Sequence, residues 1–161
     1  MQVDEKTDAL EQLYRDRYTT FRDVLANIVG SHDLAREVVQ EAFARALRQR
    51  RSFRGDGSLE AWVWKIAVNV ALRKRRELVR EEAVETEPAA DAVSSADPSI
   101  REAVLALPPR RRLVIFLRYF ADLSYREIAG IVGISEGTVA ATLSQAHREL
   151  ARRLERQEVR P

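Results

Sequence analysis

Between Ser124 and Leu150, apolar positions recur at helical spacing in two blocks separated by a glycine-bearing turn. Ser124-Tyr-Arg-Glu127 fits a capping box, in which serine and glutamate side chains satisfy each other's backbone donors as a helix begins. Ile128, Ala129 and Val132 follow on one face, and Gly133 stands where a left-handed residue ends a helix without steric cost. After the turn Gly133-Ile-Ser-Glu136, the residues Val139, Leu143, Ala146 and Leu150 fall at i, i+4, i+7 and i+11, one apolar stripe. This pattern predicts a helix of about two turns packed on a longer one, that is, a helix-turn-helix. The longer helix turns Thr138, Ala141, Thr142, Gln145 and Arg148 away from that core, and motifs of this kind present such a face to base edges in the major groove.

The first half of the chain is also helical in period. Leu10, Leu13, Tyr14, Phe21, Val24, Leu25 and Ile28 form one apolar face closed by Gly30, and Leu34, Ala35, Val38, Val39, Ala42, Phe43, Ala46 and Leu47 form the next. A third helix follows Gly55-Asp-Gly-Ser58. Its pattern places Leu59, Trp62, Val63, Ile66 and Val70 inward and Lys65, Asn69, Leu72, Arg73 and Arg76 outward, with Trp62 in the core and Trp64 partly exposed. No strand alternation competes, so the fold class expected is all-α.

Charge divides the chain. The net charge of +2 hides 16 basic and 12 acidic side chains in residues 1–80, none and 6 in residues 81–100, and 11 and 7 in residues 101–161. The acidic segment Glu81 to Asp97 is rich in Ala, Ser and Glu and has no sustained apolar period, which reads as a flexible linker. Asp97-Pro98 then looks like an N-cap followed by a first-turn proline. The organisation expected is a helical domain over 1–80, a linker over 81–97 and a helix-turn-helix domain over 98–161, two small domains within 161 residues.

Composition narrows the classes further. There is no run of about 18 apolar residues to span a membrane and no signal-peptide pattern at the amino terminus, so no membrane insertion is expected. The absence of cysteine removes disulfide frameworks and thiolate zinc sites and suits a reducing cytoplasm. His32 and His147 lie far apart in sequence, and the acidic residues spread along helix faces or fall in the linker, so neither a metal site nor a catalytic constellation is expected. The chain reads as a non-enzyme without a cofactor.

Leu107-Pro-Pro-Arg-Arg-Arg before Phe116-Leu-Arg-Tyr-Phe, with Leu123-Ser-Tyr-Arg-Glu-Ile-Ala and Ile134-Ser-Glu-Gly-Thr-Val, resembles the fourth conserved region of bacterial sigma factors. The first half resembles their second region. Asp33-Leu-Ala-Arg-Glu-Val-Val-Gln-Glu-Ala-Phe43 is similar to the segment that grips a coiled coil of the largest polymerase subunit, and Phe53 to Arg76 is similar to the segment that recognises and opens the minus-10 promoter element. The short linker between the two regions resembles the extracytoplasmic-function group of the sigma-70 family. The resemblance implies a promoter-specificity subunit, with core RNA polymerase, double-stranded and melted promoter DNA, and an anti-sigma factor as partners.

It also implies site residues. Asp33, Glu37, Gln40 and Glu41 would meet the polymerase, on a helix face that the local core does not require and whose acidity would speed encounter with a basic coiled coil. Arg54, Gly55, Asp56, Gly57, Ser58 and Leu59 would form the minus-10 specificity loop. Asn69 would touch an extruded base, and Lys65, Arg73, Lys74, Arg75 and Arg76 would hold phosphates. Arg126, Ser135, Glu136, Gly137, Thr138, Ala141, Thr142, Gln145 and Arg148 would face the minus-35 element. One departure stands out, because the family usually carries several Arg or Lys along this helix, whereas Ala140, Ala141, Thr142, Ser144, Gln145 and His147 occupy it here. Each lost phosphate contact lowers affinity and its salt dependence, which leaves Arg126, Arg148 and the polymerase to compensate. The alternative reading is a helix-turn-helix regulator that never joins polymerase; against it stands the first domain, with an acidic helix beside a melting-like loop rather than an effector pocket.

Overall fold

The computed structural model describes residues 2–81 and 97–159, and these described residues fall into two compact units, 2–81 and 97–159. Residues 82–96, where most of the expected linker falls, lie outside the described residues. The described residues are helical with no strand.

In the first unit α1 (Val3–Val29), α2 (His32–Arg48) and α3 (Leu59–Glu81) pack pairwise into a three-helix bundle, with a short 3-10 turn at Arg50–Ser52. Gly30 ends α1 at φ 86°, a conformation that costs a side chain with Cβ far more, and its N–H donates to the Ala26 carbonyl. Ser31 then caps α2, its hydroxyl accepting from the Leu34 N–H at 3.1 Å. The core combines Leu10, Phe21 and Leu25 of α1 with Val38, Val39 and Phe43 of α2 and Val63, Trp64 and Val68 of α3, all buried.

Trp64 is the largest fully buried side chain. Its ring stacks on Phe21 at 3.9 Å and 13°, and Phe21 meets Phe43 edge-on at 5.3 Å. The two tryptophans therefore exchange the places expected from the periodicity: Trp64 is core and Trp62 is half-buried, 5.5 Å from Phe53 beneath the following loop. Helical residues two positions apart point about 200° apart, onto nearly opposite faces, so only one indole can enter the bundle. The small residues Ala67 and Ala71 flank Trp64 on the buried face, which leaves room for the larger ring there; Leu59 and Ile66, expected inside, are half-buried, while Val63 and Val70 are buried as expected. The Trp64 Nε1–H points at Glu60 Oε1 at 3.4 Å, and the same carboxylate oxygen accepts from Arg17 Nε at 3.0 Å.

The second unit holds α4 (Pro98–Leu105), α5 (Pro109–Tyr119), α6 (Tyr125–Val132) and α7 (Glu136–Glu158). Asp97 caps α4, accepting from the Ser99 N–H at 2.8 Å, with Pro98 in the first turn as expected. Arg112 is nearly buried and donates to the carbonyls of Leu105 and Leu107, so one member of the arginine triplet serves the α4–α5 corner. Both halves of the Ser124–Glu127 capping box form, at 2.8 and 3.1 Å, and Gly133 ends α6 at φ 76°. Val139, Leu143 and Ala146 of α7 are buried and Leu150 is half-buried, the stripe expected; Ile131, not assigned inward from the pattern, joins this core.

Replacing Trp64 with Ala is expected to cost about 3–5 kcal/mol in urea unfolding of the first unit, and Trp62→Ala clearly less. A larger loss at Trp62 would contradict the packing of α3.

Candidate nucleic-acid interface

The orientation of α3 sorts its polar residues. Lys65, Asn69 and Arg76 are exposed on the face opposite Trp64, and Leu72 stands among them 36% exposed. Lys74 and Arg75 are half-buried. Arg73 leans instead toward α2, where its Nη2 donates to Glu41 Oε1 at 2.6 Å; Glu41 also accepts from Arg45 at 2.7 Å, and Glu77 lies 3.8 Å from Arg73. Two residues expected to serve different partners, Glu41 and Arg73, thus meet each other. Burial opposes ionisation of Glu41, but the hydrogen bond from Arg73 and the charges of Arg45 and Arg73 outweigh it and hold its carboxyl below the usual range. Asp33, Glu37 and Gln40 remain exposed on α2, with Arg36 3.8 Å from Asp33. Beside Gln40 an apolar groove of about 400 Å³ runs between α1 and α2, lined by Leu10, Tyr14, Phe43 and Leu47.

The loop ahead of α3 is exposed from Arg54 to Ser58, and Leu59 is half-buried. Gly55 and Gly57 have φ of 84° and 103°, left-handed values, with open space where a Cβ would lie, so conformation rather than crowding requires glycine there. Ser58 caps α3, its hydroxyl accepting from the Ala61 N–H at 3.0 Å. At the other end Phe53 is buried, and its carbonyl accepts from Lys6 Nζ at 2.8 Å. The loop is therefore pinned at both ends and open in its middle. Lys6, Phe53 and Trp62 as its support were not legible from spacing, since the Lys6 contact joins residues 47 positions apart.

In the second unit the outward face of α7 carries Glu136, Gly137, Thr138, Ala141, Gln145 and Arg148, exposed, with Thr142 half-buried and Arg126 exposed on α6. Ser135 caps α7, accepting from the Thr138 N–H at 3.0 Å, and its hydroxyl pairs with that of Thr138 at 2.8 Å. Arg111 of α5, absent from the expected site, reaches α7: one guanidinium nitrogen donates to Glu149 at 2.8 Å and another approaches Gln145 Oε1 at 3.4 Å. Pairing of Gln145 with adenine through both amide atoms would require it to release that carbonyl.

Two family models match the chain, Sigma-70 region 2 over residues 13–81 and Sigma-70 region 4 over residues 98–154. It is 30% identical over 160 residues to the RNA polymerase sigma factor YlaC of Bacillus subtilis, covering 91% of this chain and 92% of that protein. It is 32% identical over 147 residues to the ECF RNA polymerase sigma-E factor of Escherichia coli, covering 79% and 76%. The chain belongs to the ECF sigma factors of the sigma-70 family. The fold of this sigma factor is also that of the sigma factor RpoE solved with the anti-sigma factor NepR from Bartonella quintana, with a TM-score of 0.71 at 21% identity over 90% of this chain and 96% of that one.

A carboxylate held below its ordinary pKa adds stability that is present at neutral pH and lost as pH falls through its folded value. The denaturant midpoints of this sigma factor and its Glu41→Gln variant are therefore expected to differ modestly at pH 7, by no more than about 1 kcal/mol for so exposed a pair. They should begin to converge as pH drops past the ordinary glutamate value of 4.5 and meet only below the lower folded value. A gap that widens on acidification would contradict the Glu41–Arg73 pairing.

Proposed function

We propose that this sigma factor brings core RNA polymerase to promoters through three surfaces, dividing the chain at residues 1–80, 81–97 and 98–161. The exposed face of α2, with Asp33, Glu37 and Gln40 and with Glu41 at its edge, engages polymerase. The loop Arg54 to Leu59, with Asn69 and the cations Lys65 and Arg73 to Arg76 on α3, receives the melted minus-10 strand. The face of α7, with Arg126 of α6, reads minus-35 duplex. The protein supplies recognition and strand opening and catalyses no reaction itself, and it works in the cytoplasm beside polymerase and DNA. No helix among the described residues is long and apolar enough to cross a membrane.

One observation carries this reading: a pinned, glycine-bearing loop lies directly ahead of a helix whose solvent face is polar and cationic, in the same unit as a separate helix that exposes Asp33, Glu37 and Gln40. Unpairing costs a few kcal/mol, and strand opening recovers it when an unstacked base finds a receptor and the separated backbone meets positive charge. The loop supplies exposed backbone at Gly55 to Gly57 for the first and α3 the charge for the second. The exposed carboxylates of Asp33 and Glu37 suit a basic partner, raising the encounter rate and fixing register more than adding raw affinity. A regulator that acted through the helix-turn-helix alone would leave the whole first unit without a task. An anti-sigma factor is proposed as a further partner, on the resemblance to the RpoE structure, whose partner is one.

The pair Glu37→Ala with Gln40→Ala is expected to weaken binding to core polymerase about tenfold, roughly 1.4 kcal/mol, with unfolding unchanged. Unaltered core affinity would contradict the α2 assignment. Asn69→Ala should leave core affinity alone and impair permanganate-detected strand opening; normal opening would remove Asn69 from the site.

A further inference from the structure

The sequence leaves an electrostatic deficit, since the base-facing stretch of α7 lacks the cations that hold a duplex. The structure places guanidinium groups just behind it. Arg111, Gln145, Arg148, Ala151 and Arg152 line a hollow of about 540 Å³ on the outer side of α5 and α7. Arg148 and Arg152 continue the stripe Thr138, Ala141, Gln145 at steps of three and four residues, so they lie on the same helix face as the expected readers. Among the described residues neither is in an ion pair, and Arg148 makes only a 3.4 Å contact to the Ser144 carbonyl of its own helix.

The lining of the hollow is cationic. No carboxylate lines it among the described residues. Glu149, the nearest acid, binds Arg111 at 2.8 Å and Arg153 at 2.9 Å, which fixes the Arg111 guanidinium in place. With the Gln145 carbonyl turned to Arg111, the amide group left to face a ligand is a donor. Arg148 and Arg152 thus bring two guanidiniums outside any ion pair to the hollow among the described residues, while Arg111, neutralised by Glu149, adds its remaining N–H groups beside the Gln145 amide, an arrangement that suits phosphate oxygens.

We propose that Arg111, Arg148 and Arg152, with Gln145, grip a DNA backbone phosphate at the rim of the groove entered by α7 and supply the affinity its base-facing turns lack. This rests on the reading of α7 as the helix that enters DNA. Along the helix Arg148 lies about 10 Å behind Ala141, and the major groove is about 8.5 Å deep. A helix entering by its amino-terminal turns therefore brings Arg148 level with the phosphate ridge as Thr138 and Ala141 reach the bases. The small residues read and the later turn holds.

The test is a salt titration of the full-length protein on a short mixed-sequence DNA duplex, followed by fluorescence anisotropy between about 50 and 200 mM salt. Arg148→Gln with Arg152→Gln should flatten the slope of log affinity against log salt by about 0.9 for each phosphate released. Arg148→Lys with Arg152→Lys should restore it. Arg15→Gln with Arg36→Gln, which removes two exposed charges from the first unit, should leave it unchanged. A wild-type slope in the double Gln variant, an equal change in the Arg15 and Arg36 control, or no salt-sensitive binding by the wild type would each overturn the proposal; the first would leave the hollow to an acidic protein surface. The readout needs neither promoter nor polymerase, so a failure of transcription in reconstitution would strike the sigma reading and leave this result standing.

Discussion

The stack of Trp64 on Phe21 sets the rotation of α3, and that rotation decides which side chains face solvent. Burying roughly 200 Å² of indole at about 25 cal/mol per Å² is worth about 5 kcal/mol. The Glu41–Arg73 bridge, half-exposed at both ends, contributes at most about 1 kcal/mol. The aromatic stack therefore governs and the ion pair adjusts to it. With Trp64 inward, Lys65, Asn69 and Arg76 have to point outward, and Trp62 is left to cover Phe53 at the base of the loop. Turned by one residue, about 100°, α3 would no longer present that set as one face.

The second unit reaches its geometry by local means. Ser124 and Glu127 start α6, Gly133 stops it, and Ser135 starts α7, all within 12 positions, so the end points of the two helices are set by residues close in sequence. The buried stripe of Val139, Leu143 and Ala146 then seats α7 and leaves its other face exposed. Arg111 adds a strut from α5, holding Gln145 and Glu149 on adjacent turns of α7.

This difference in scale explains what the sequence revealed. The Ser124–Glu127 box, the Asp97 cap, the stops at Gly30 and Gly133 and the α7 stripe depend on residues a few positions apart, and they were legible; the caps at Ser31, Ser58 and Ser135, equally local, were not assigned from the sequence. The division into two helical units was legible from the charge reversal between residues 81 and 97. The rotation of α3 was not, because Leu59, Trp62 and Ile66 mark one face as strongly as Trp64, Ala67 and Ala71 mark the other, and alanines carry little hydrophobic signal of their own. Only Phe21, on another helix, breaks the tie. The pairing of Glu41 with Arg73 spans 32 positions and that of Arg111 with Gln145 spans 34, distances over which no periodicity reaches.

The central claim, that one chain joins polymerase to a promoter through two helical units, is tested most directly by transcription from genomic DNA fragments. Core polymerase of the same or a related bacterium is used with and without the purified protein, and start sites are sequenced. The account predicts starts that appear only when the protein is added and share two upstream elements at fixed spacing. Protein that binds the fragments but yields no new starts would contradict it and favour a regulator that acts outside polymerase.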